Sequence, residues 1–297
     1  MDKKSVKLYR LFYLILMILI LAELILFFQS GGKKSDHTDS SADPTVSSDL
    51  AAQFESALSN GRIEVWYQPI ILSSNEQLAG AEALSRWKDG DSLISPGVFI
   101  PVLEESGKIP QLDRYVFQTV CRFQKERFET GKELFPISVN LSAKTCMQSS
   151  VVSEYEGIFT EYNLPDGAVS IEVTESSEME KDRLSEVVRE FQSAGFTVET
   201  DDFGSGFANY ENLASIPYDV LKMDKSLIDG IGSERGNHVV HSIIAMAKEL
   251  HMKTIAEGVE TADQKEFLKS EGCDAVQGYF YSRPLSPEDF RTYLGSR

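Results

Sequence analysis

The feature that most constrains this chain is a regular alternation of short apolar runs with amphipathic segments, which begins near Asp49. Eight runs have the length and composition of buried strands: IEVWYQPII, GAEALSRW, FPISVNLS, AVSIEVTES, FTVETDDF, YDVLKMD, KTIAEGVE and AVQGYFYS. Between two of them, Leu184, Val187, Val188 and Phe191 have the spacing of one buried helix face. Strands that alternate with helices over about 250 residues predict an α/β fold of the (β/α)8 barrel type.

Local signals at the helix starts agree with this assignment. Thr261 and Gln264 form a capping box before one helical segment. Ser286 followed by Pro287 is typical of the start of the last helix. The pair His238 and His241 is predicted to lie on a solvated helix face rather than in a metal site.

Residues 1–30 contain a different kind of segment. LFYLILMILILAELILFF, from Leu11 to Phe28, carries one charge in 18 residues. At about 1.5 Å per residue, this length just spans a bilayer core of roughly 30 Å. A cleaved signal peptide is the alternative, but no small-x-small cleavage site follows the run. We predict a single N-terminal transmembrane helix in residues 1–30, a flexible polar linker at 31–48 and the barrel at 49–297.

The net charge restricts the partners that this chain can bind, and its cysteines indicate the compartment in which it folds. The formal net charge is −17, and a chain this acidic repels a DNA or RNA polymer. Cys121, Cys146 and Cys273 are scattered and odd in number, so they are predicted to be buried free thiols. Unpaired thiols favour a reducing compartment.

Polar side chains recur at the ends of the predicted strands: Glu82 and Arg86, Asn140, Glu172 and Glu175, Asp201 and Asp202, Lys222 and Asp224, Glu257 and Glu260, and Gln277. A single acid at a strand end is usually a turn or cap residue, but capping does not explain a whole series. In a barrel these ends meet at one mouth. Clustered carboxylate and amide oxygens favour hard cations such as Mg²⁺ or Mn²⁺, and a metal pair can clamp a phosphodiester.

A series of motifs resembles one known family in order and spacing. The motifs are YQPI (67–70), EALSRW (82–87), SVNLSA (138–143), EVTES (172–176), DDFGSGF (201–207), LKMDKS (221–226), AEGVET (256–261) and QGYFYSRPL (277–285). The chain resembles the EAL-domain cyclic di-GMP phosphodiesterases over roughly residues 54–294. That resemblance implies a TIM-like barrel with one antiparallel strand, the first, and two divalent cations, Mg²⁺ or Mn²⁺.

The resemblance also implies roles for individual residues. Glu82, Asn140, Glu172 and Asp201 are expected to hold one ion, and Asp201 with Asp202 the second. The other implied roles are catalytic support by Lys222, Glu257 and Gln277, substrate contact by Leu84 and Arg86, and a link from the loop to a homodimer interface through Glu175. Glu257 could ligate directly or through water, and Lys222 could orient or activate the attacking water.

The function that follows is hydrolysis of cyclic di-GMP to linear pGpG. The alternative is a catalytically silent module that binds cyclic di-GMP for signalling. Departures from the family pattern, such as Ser85 and KDGDS after Trp87, remove neither a ligand nor Lys222, so the complete set favours the enzyme.

The sequence gives contradictory indications for the orientation of the predicted membrane segment. Basic residues are more numerous before the apolar run than after it: Lys3, Lys4, Lys7 and Arg10 against Lys33 and Lys34. This bias favours a cytoplasmic N-terminus and an exported barrel. The implied substrate is a cytoplasmic messenger, however, and the thiols suit a reducing space. We predict a single-pass protein of the inner membrane whose catalytic domain faces the cytoplasm.

Overall fold

The computed structural model describes residues 44–173, 181–205 and 213–296. Its strands are β1 (Ile63–Leu72), β2 (Leu78–Asp89), β3 (Ser92–Ile94), β4 (Ile137–Leu141), β5 (Val169–Val173), β6 (Thr197–Phe203), β7 (Val220–Met223), β8 (Lys253–Ala256) and β9 (Ala275–Val276). Its helices are α1 (Pro44–Ser59), α2 (Pro96–Glu105), α3 (Ile109–Glu129), α4 (Ala143–Cys146), α5 (Val151–Tyr162), α6 (Lys181–Ser193), α7 (Lys225–Ile228), α8 (Glu234–Glu249), α9 (Ala262–Glu271) and α10 (Pro287–Gly295).

All strands except β3 close into an eight-stranded barrel, in the order β1-β9-β8-β7-β6-β5-β4-β2, with β2 pairing back to β1. β1 is antiparallel to both of its neighbours: Gln68 pairs with Glu82 of β2, and Ile71 pairs with Val276 of β9. The remaining pairs around the barrel are parallel. The predicted barrel, with its first strand antiparallel, is therefore confirmed.

The last two strands of the barrel end well before their apolar runs do. β8 ends at Ala256 and β9 at Val276, so the later residues of both runs form loops at the barrel mouth. The two loops approach each other closely, and a Cβ on Gly278 would lie 2.1 Å from the carbonyl oxygen of Val259. Only glycine permits this contact.

Helix α1 begins at Pro44, so the first five of its residues, 44–48, belong to the segment that the sequence assigns to the linker at 31–48. Phe54 of α1 is fully buried against Trp87 of β2, with ring centroids 5.9 Å apart. Trp87 packs in turn against Phe99 of α2. This aromatic contact joins α1 to the barrel wall.

The predicted membrane segment, Leu11–Phe28, lies outside the described residues. Within residues 44–173, 181–205 and 213–296, no helix is both long enough and apolar enough to cross a bilayer.

The local helix predictions are confirmed. Thr261 and Gln264 make the reciprocal bonds of a capping box, and the Ser286 hydroxyl accepts from the amide of Asp289. The predicted stripe on α6 is buried, and the three cysteines are free and buried. His241 is exposed and bonds to Glu271 of α9, as expected for a surface histidine.

Replacing Phe54 by Ala should lower the free energy of unfolding by about 3–5 kcal/mol, because it leaves a cavity against Trp87. Urea denaturation followed by circular dichroism measures this loss. The matched control is Phe128→Ala, which removes an exposed ring and should change stability by less than about 0.5 kcal/mol. Equal effects of the two substitutions would show that α1 is not anchored to the barrel.

Candidate active site

Lys222 lies at the centre of the barrel mouth, on β7. Its side chain is fully buried, and its Nζ donates a hydrogen bond to Glu172 of β5. The same nitrogen is 2.7 Å from Glu257 Oε1 and 3.5 Å from Asp201 Oδ1. Glu82 Oε2 is 3.8 Å away. One ammonium group thus lies among carboxylates contributed by four other strands or strand ends.

A second network holds Glu82 in place. Gln277 Nε2 donates to Glu82 Oε2 at 2.6 Å, and Asn140 Nδ2 donates to Glu82 Oε1 at 3.2 Å. Gln277 Nε2 is also 3.1 Å from Gln68 Oε1, and Gln68 donates to the carbonyl of Ser282. Both oxygens of Glu82 therefore accept from amide donors, and its orientation is fixed from both sides.

The carboxylates set the charge of Lys222. Burial alone lowers the pKa of this lysine, but Glu172 and Glu257 outweigh burial and raise its pKa well above the ordinary value. The carboxylates therefore favour the protonated lysine, which can orient a water or a phosphate oxygen by donating a hydrogen bond.

Burial, and next to it the crowding of the acids, raises their affinity for protons. Burial raises the pKa of Glu257 to about 7, with Lys222 opposing and Glu82 and Asp201 adding to the rise. Burial and the adjacent Asp201 raise the pKa of Asp202 to about 6. Burial raises the pKa of Glu172 well above its usual range, although Lys222 opposes it. The cluster holds more negative charge than one lysine neutralises, so an added cation would replace bound protons.

The donor set fits a divalent cation. One carboxylate oxygen from each of Asp201, Asp202 and Glu257 lies within 4.8 Å of the other two. Glu172 Oε2 is buried and has no hydrogen-bond partner among the described residues. Asp202 adopts a left-handed backbone with φ of 52°, which is uncommon outside glycine and frequent at functional sites. Hard oxygen donors of this kind suit Mg²⁺ or Mn²⁺.

A cleft of about 800 Å³ opens beside this cluster, between β2 and the helices α2 and α3. Leu84 and Arg86 line it together with Glu82 and Asn140. Arg86 is half-buried, donates to the carbonyl of Ser85 and has its guanidinium 5.8 Å from the Trp66 ring centroid. Its lining therefore contains apolar side chains, the positively charged Arg86 and, on the side of the acidic cluster, Glu82.

The structure brings together the residues that the resemblance assigns to the site, with one exception. Of the other strand-end acids, Asp224 caps α7 and Glu260 pairs with Lys225. The acids Glu82, Glu172, Asp201 and Glu257 surround Lys222, Asp202 lies beside Asp201 and Glu257, Asn140 and Gln277 bond to Glu82, and Leu84 and Arg86 line the cleft. Glu175 lies outside the described residues, so its predicted link to the loop and the dimer stays a prediction.

Two buried polar residues escape the strand-end pattern. Gln68 of β1 bonds to Gln277, as described above. Glu199 of β6 is buried two residues before Asp201, on the same strand face. Burial raises the pKa of Glu199, with the Lys222 charge opposing it. The signal for Glu199 was its spacing from Asp201, because strand side chains alternate with a period of two.

Comparisons with known proteins agree with this geometry. The EAL domain family model matches residues 51–284. Cyclic di-GMP phosphodiesterase NbdA of Pseudomonas aeruginosa is 35% identical over 239 residues, which are 80% of this chain and 30% of that protein. Probable cyclic di-GMP phosphodiesterase PdeB of Escherichia coli is 32% identical over 239 residues, 80% of this chain and 46% of that protein.

A solved structure of PaMucR phosphodiesterase in complex with c-di-GMP aligns with a TM-score of 0.75 and 31% sequence identity. The alignment covers 82% of this chain and 99% of that one. The chain spans only 30% of the length of the first two curated relatives that it matches. The family match itself covers most of the chain, including every strand of the barrel. This chain therefore belongs to the EAL domain family.

Proposed function

We propose that this protein hydrolyses one phosphodiester bond of cyclic di-GMP to give linear pGpG, with divalent cations bound at the carboxylate cluster. The observation that carries the proposal is the complete set of acids and amides around the buried Lys222. The names of relatives such as NbdA and the c-di-GMP complex of PaMucR support the choice of substrate.

The residues that would hold two cations, Mg²⁺ or Mn²⁺, are Glu82, Asn140, Glu172, Asp201, Asp202 and, directly or through water, Glu257. When bound, the cations supply positive charge that stabilises the attacking and leaving oxygens of a phosphodiester displacement. The buried, unpartnered Glu172 Oε2 and the crowded acids support this assignment.

The protein's own groups would position the reactants. Lys222 donates a hydrogen bond that orients the attacking water, while Gln277 keeps Glu82 in place. Glu257 Oε1, which lies 2.7 Å from Lys222 Nζ, would help to position the same water. Arg86 offers a cation for a substrate phosphate, and Leu84 an apolar surface for a base.

We also propose that Leu11–Phe28 anchors the protein in the inner membrane with the barrel in the cytoplasm, and that barrels pair as homodimers. The apolar run supports the anchor. A cytoplasmic substrate and three free thiols support the orientation, against the local Lys and Arg bias. The family resemblance supports the dimer, which analytical ultracentrifugation tests.

Removing a metal ligand should abolish hydrolysis. Glu82→Ala and Asp201→Ala each take away a carboxylate that would hold a cation, and EDTA should stop the wild type in the same way. Production of pGpG, followed by chromatography, measures the effect. The control is Glu249→Ala, an exposed acid at the end of α8, which should keep full activity. Near-normal turnover in either site variant would refute the metal assignment, and binding without turnover by the wild type would favour the silent module.

Lys222→Ala should lower kcat by about 100-fold or more while KM changes little, because the lysine orients the reacting groups rather than holding the substrate. Steady-state kinetics separate the two effects, and circular dichroism checks that the barrel remains folded. A large rise in KM with kcat preserved would make Lys222 a binding residue instead.

The membrane orientation is tested by protease treatment of spheroplasts, in which the outer membrane has been opened and the inner membrane is intact. All three thiols are buried, so proteolysis is a better probe than thiol labelling. We expect the barrel to resist external protease until the inner membrane is opened. Cleavage of the barrel from the periplasm would overturn the proposed orientation and separate the enzyme from a cytoplasmic substrate.

A further inference from the structure

The antiparallel strands β1 and β2 place an acid directly opposite Arg86. Leu84 and Arg86 are two residues apart on β2, so their side chains lie on the same face. The residues opposite them on β1 are Trp66 and Glu64, respectively. Opposite residues of an antiparallel pair have Cβ atoms about 5 Å apart. Register alone therefore predicts an ion pair between Glu64 and Arg86.

The carboxylate of Glu64 is instead bound by two other side chains. Its Oε1 lies 2.7 Å from Lys88 Nζ, and its Oε2 accepts a hydrogen bond from Trp66 Nε1 at 3.1 Å. Both oxygens of Glu64 thus have a donor. Among the residues that the structure describes, no carboxylate oxygen lies within ion-pairing distance of the Arg86 guanidinium.

The contacts that Arg86 does make leave its charge unneutralised. Its Nη1 donates to the neighbouring Ser85 carbonyl at 2.8 Å, and its guanidinium lies 5.8 Å from the centroid of the Trp66 ring. A carbonyl and an aromatic face orient a cation without cancelling its charge. Trp66 therefore contacts both groups: it donates to the acid and packs against the guanidinium.

Lys88 decides which cation the acid binds. It lies two residues after Arg86 on the same face of β2, so it is a diagonal neighbour of Glu64 and within reach of it. Burial raises the pKa of Glu64, but the hydrogen bonds from Lys88 and Trp66 outweigh burial and lower it. Glu64 is thus an ionised acid between two cations, and its pairing with Lys88 leaves Arg86 unpaired.

We propose that Lys88 is a positioning residue that holds Glu64 away from Arg86 and so keeps Arg86 available for a phosphate of the cyclic dinucleotide. This inference rests on the proposed function, which supplies the substrate. Without the charge of Lys88, Glu64 turns to Arg86. A carboxylate and a phosphate use the same N–H donors of a guanidinium, so the substrate then has to displace Glu64.

A double-mutant cycle on the full-length protein in detergent tests this role. Lys88→Met keeps most of the aliphatic stem and removes the charge. It should raise KM for cyclic di-GMP by about fivefold, the upper range for a partly exposed ion pair, and leave kcat nearly unchanged. Adding Glu64→Gln to Lys88→Met should return KM to the wild-type value, because the competing charge is gone. Glu64→Gln alone should change KM little.

The cycle separates this role from a general attraction between Lys88 and an anionic substrate. General attraction makes the two substitutions additive, so Glu64→Gln would lower KM by the same factor in both backgrounds, and that result would overturn the proposal. Lys88→Arg keeps the charge and should behave as the wild type does. The control Lys253→Met removes an exposed lysine at the start of β8, at the opposite end of the barrel, and should have no effect.

A crystal structure of the Lys88→Met variant tests the pairing without any reference to activity. We expect a Glu64 oxygen within about 4 Å of the Arg86 guanidinium. A carboxylate that remains on Trp66 would overturn the proposal whatever the kinetics show. If the wild type binds cyclic di-GMP without hydrolysing it, only the proposed activity fails, and the same cycle is then measured as Kd by calorimetry. No binding by the wild type would overturn both.

Discussion

The buried charge of Lys222 is the constraint on which the rest of the mouth depends. An unpaired ammonium inside a protein is costly, and burial would normally drive it to lose its proton. It stays charged here because Glu172, Glu257 and Asp201 approach it from three directions. The acids depend on the lysine in turn, because they would repel one another without its positive charge. Neither the lysine nor the acids can be understood as separate contributions to stability.

Below this polar layer, the same inward faces of the strands form an apolar layer in the barrel interior. Ile70, Val220, Ile255 and Ala275 pack together as a small buried cluster. Each stands two residues from a polar member of the mouth, namely Gln68, Lys222, Glu257 and Gln277. The same strands therefore supply both the hydrophobic contacts and the chemistry. A change of register by one residue would exchange both layers for the outer face of the barrel.

Much of this arrangement could be predicted from the sequence because parallel strands end at one face. The acids, amides and Lys222 at those ends met as expected. Gln68 escaped because β1 is antiparallel, so its contribution to the mouth comes from within the strand rather than from its end. Glu199 was not predicted because it lies in the middle of β6, two residues before Asp201, and the prediction considered only residues at strand ends. The early ends of β8 and β9, and the backbone contact at Gly278 beside them, are not encoded by any pattern of apolar residues.

That contact has a mechanical consequence. The loop after β8 and the loop after β9 share two backbone hydrogen bonds through Val259, with Gly278 pressed against it. Glu257 stands at the root of one loop and Gln277 at the root of the other. The two loops are thus tied as one body, and a displacement of either carries the other with it. A change that shifts either loop is therefore expected to move both Glu257 and, through the hydrogen bond from Gln277, Glu82.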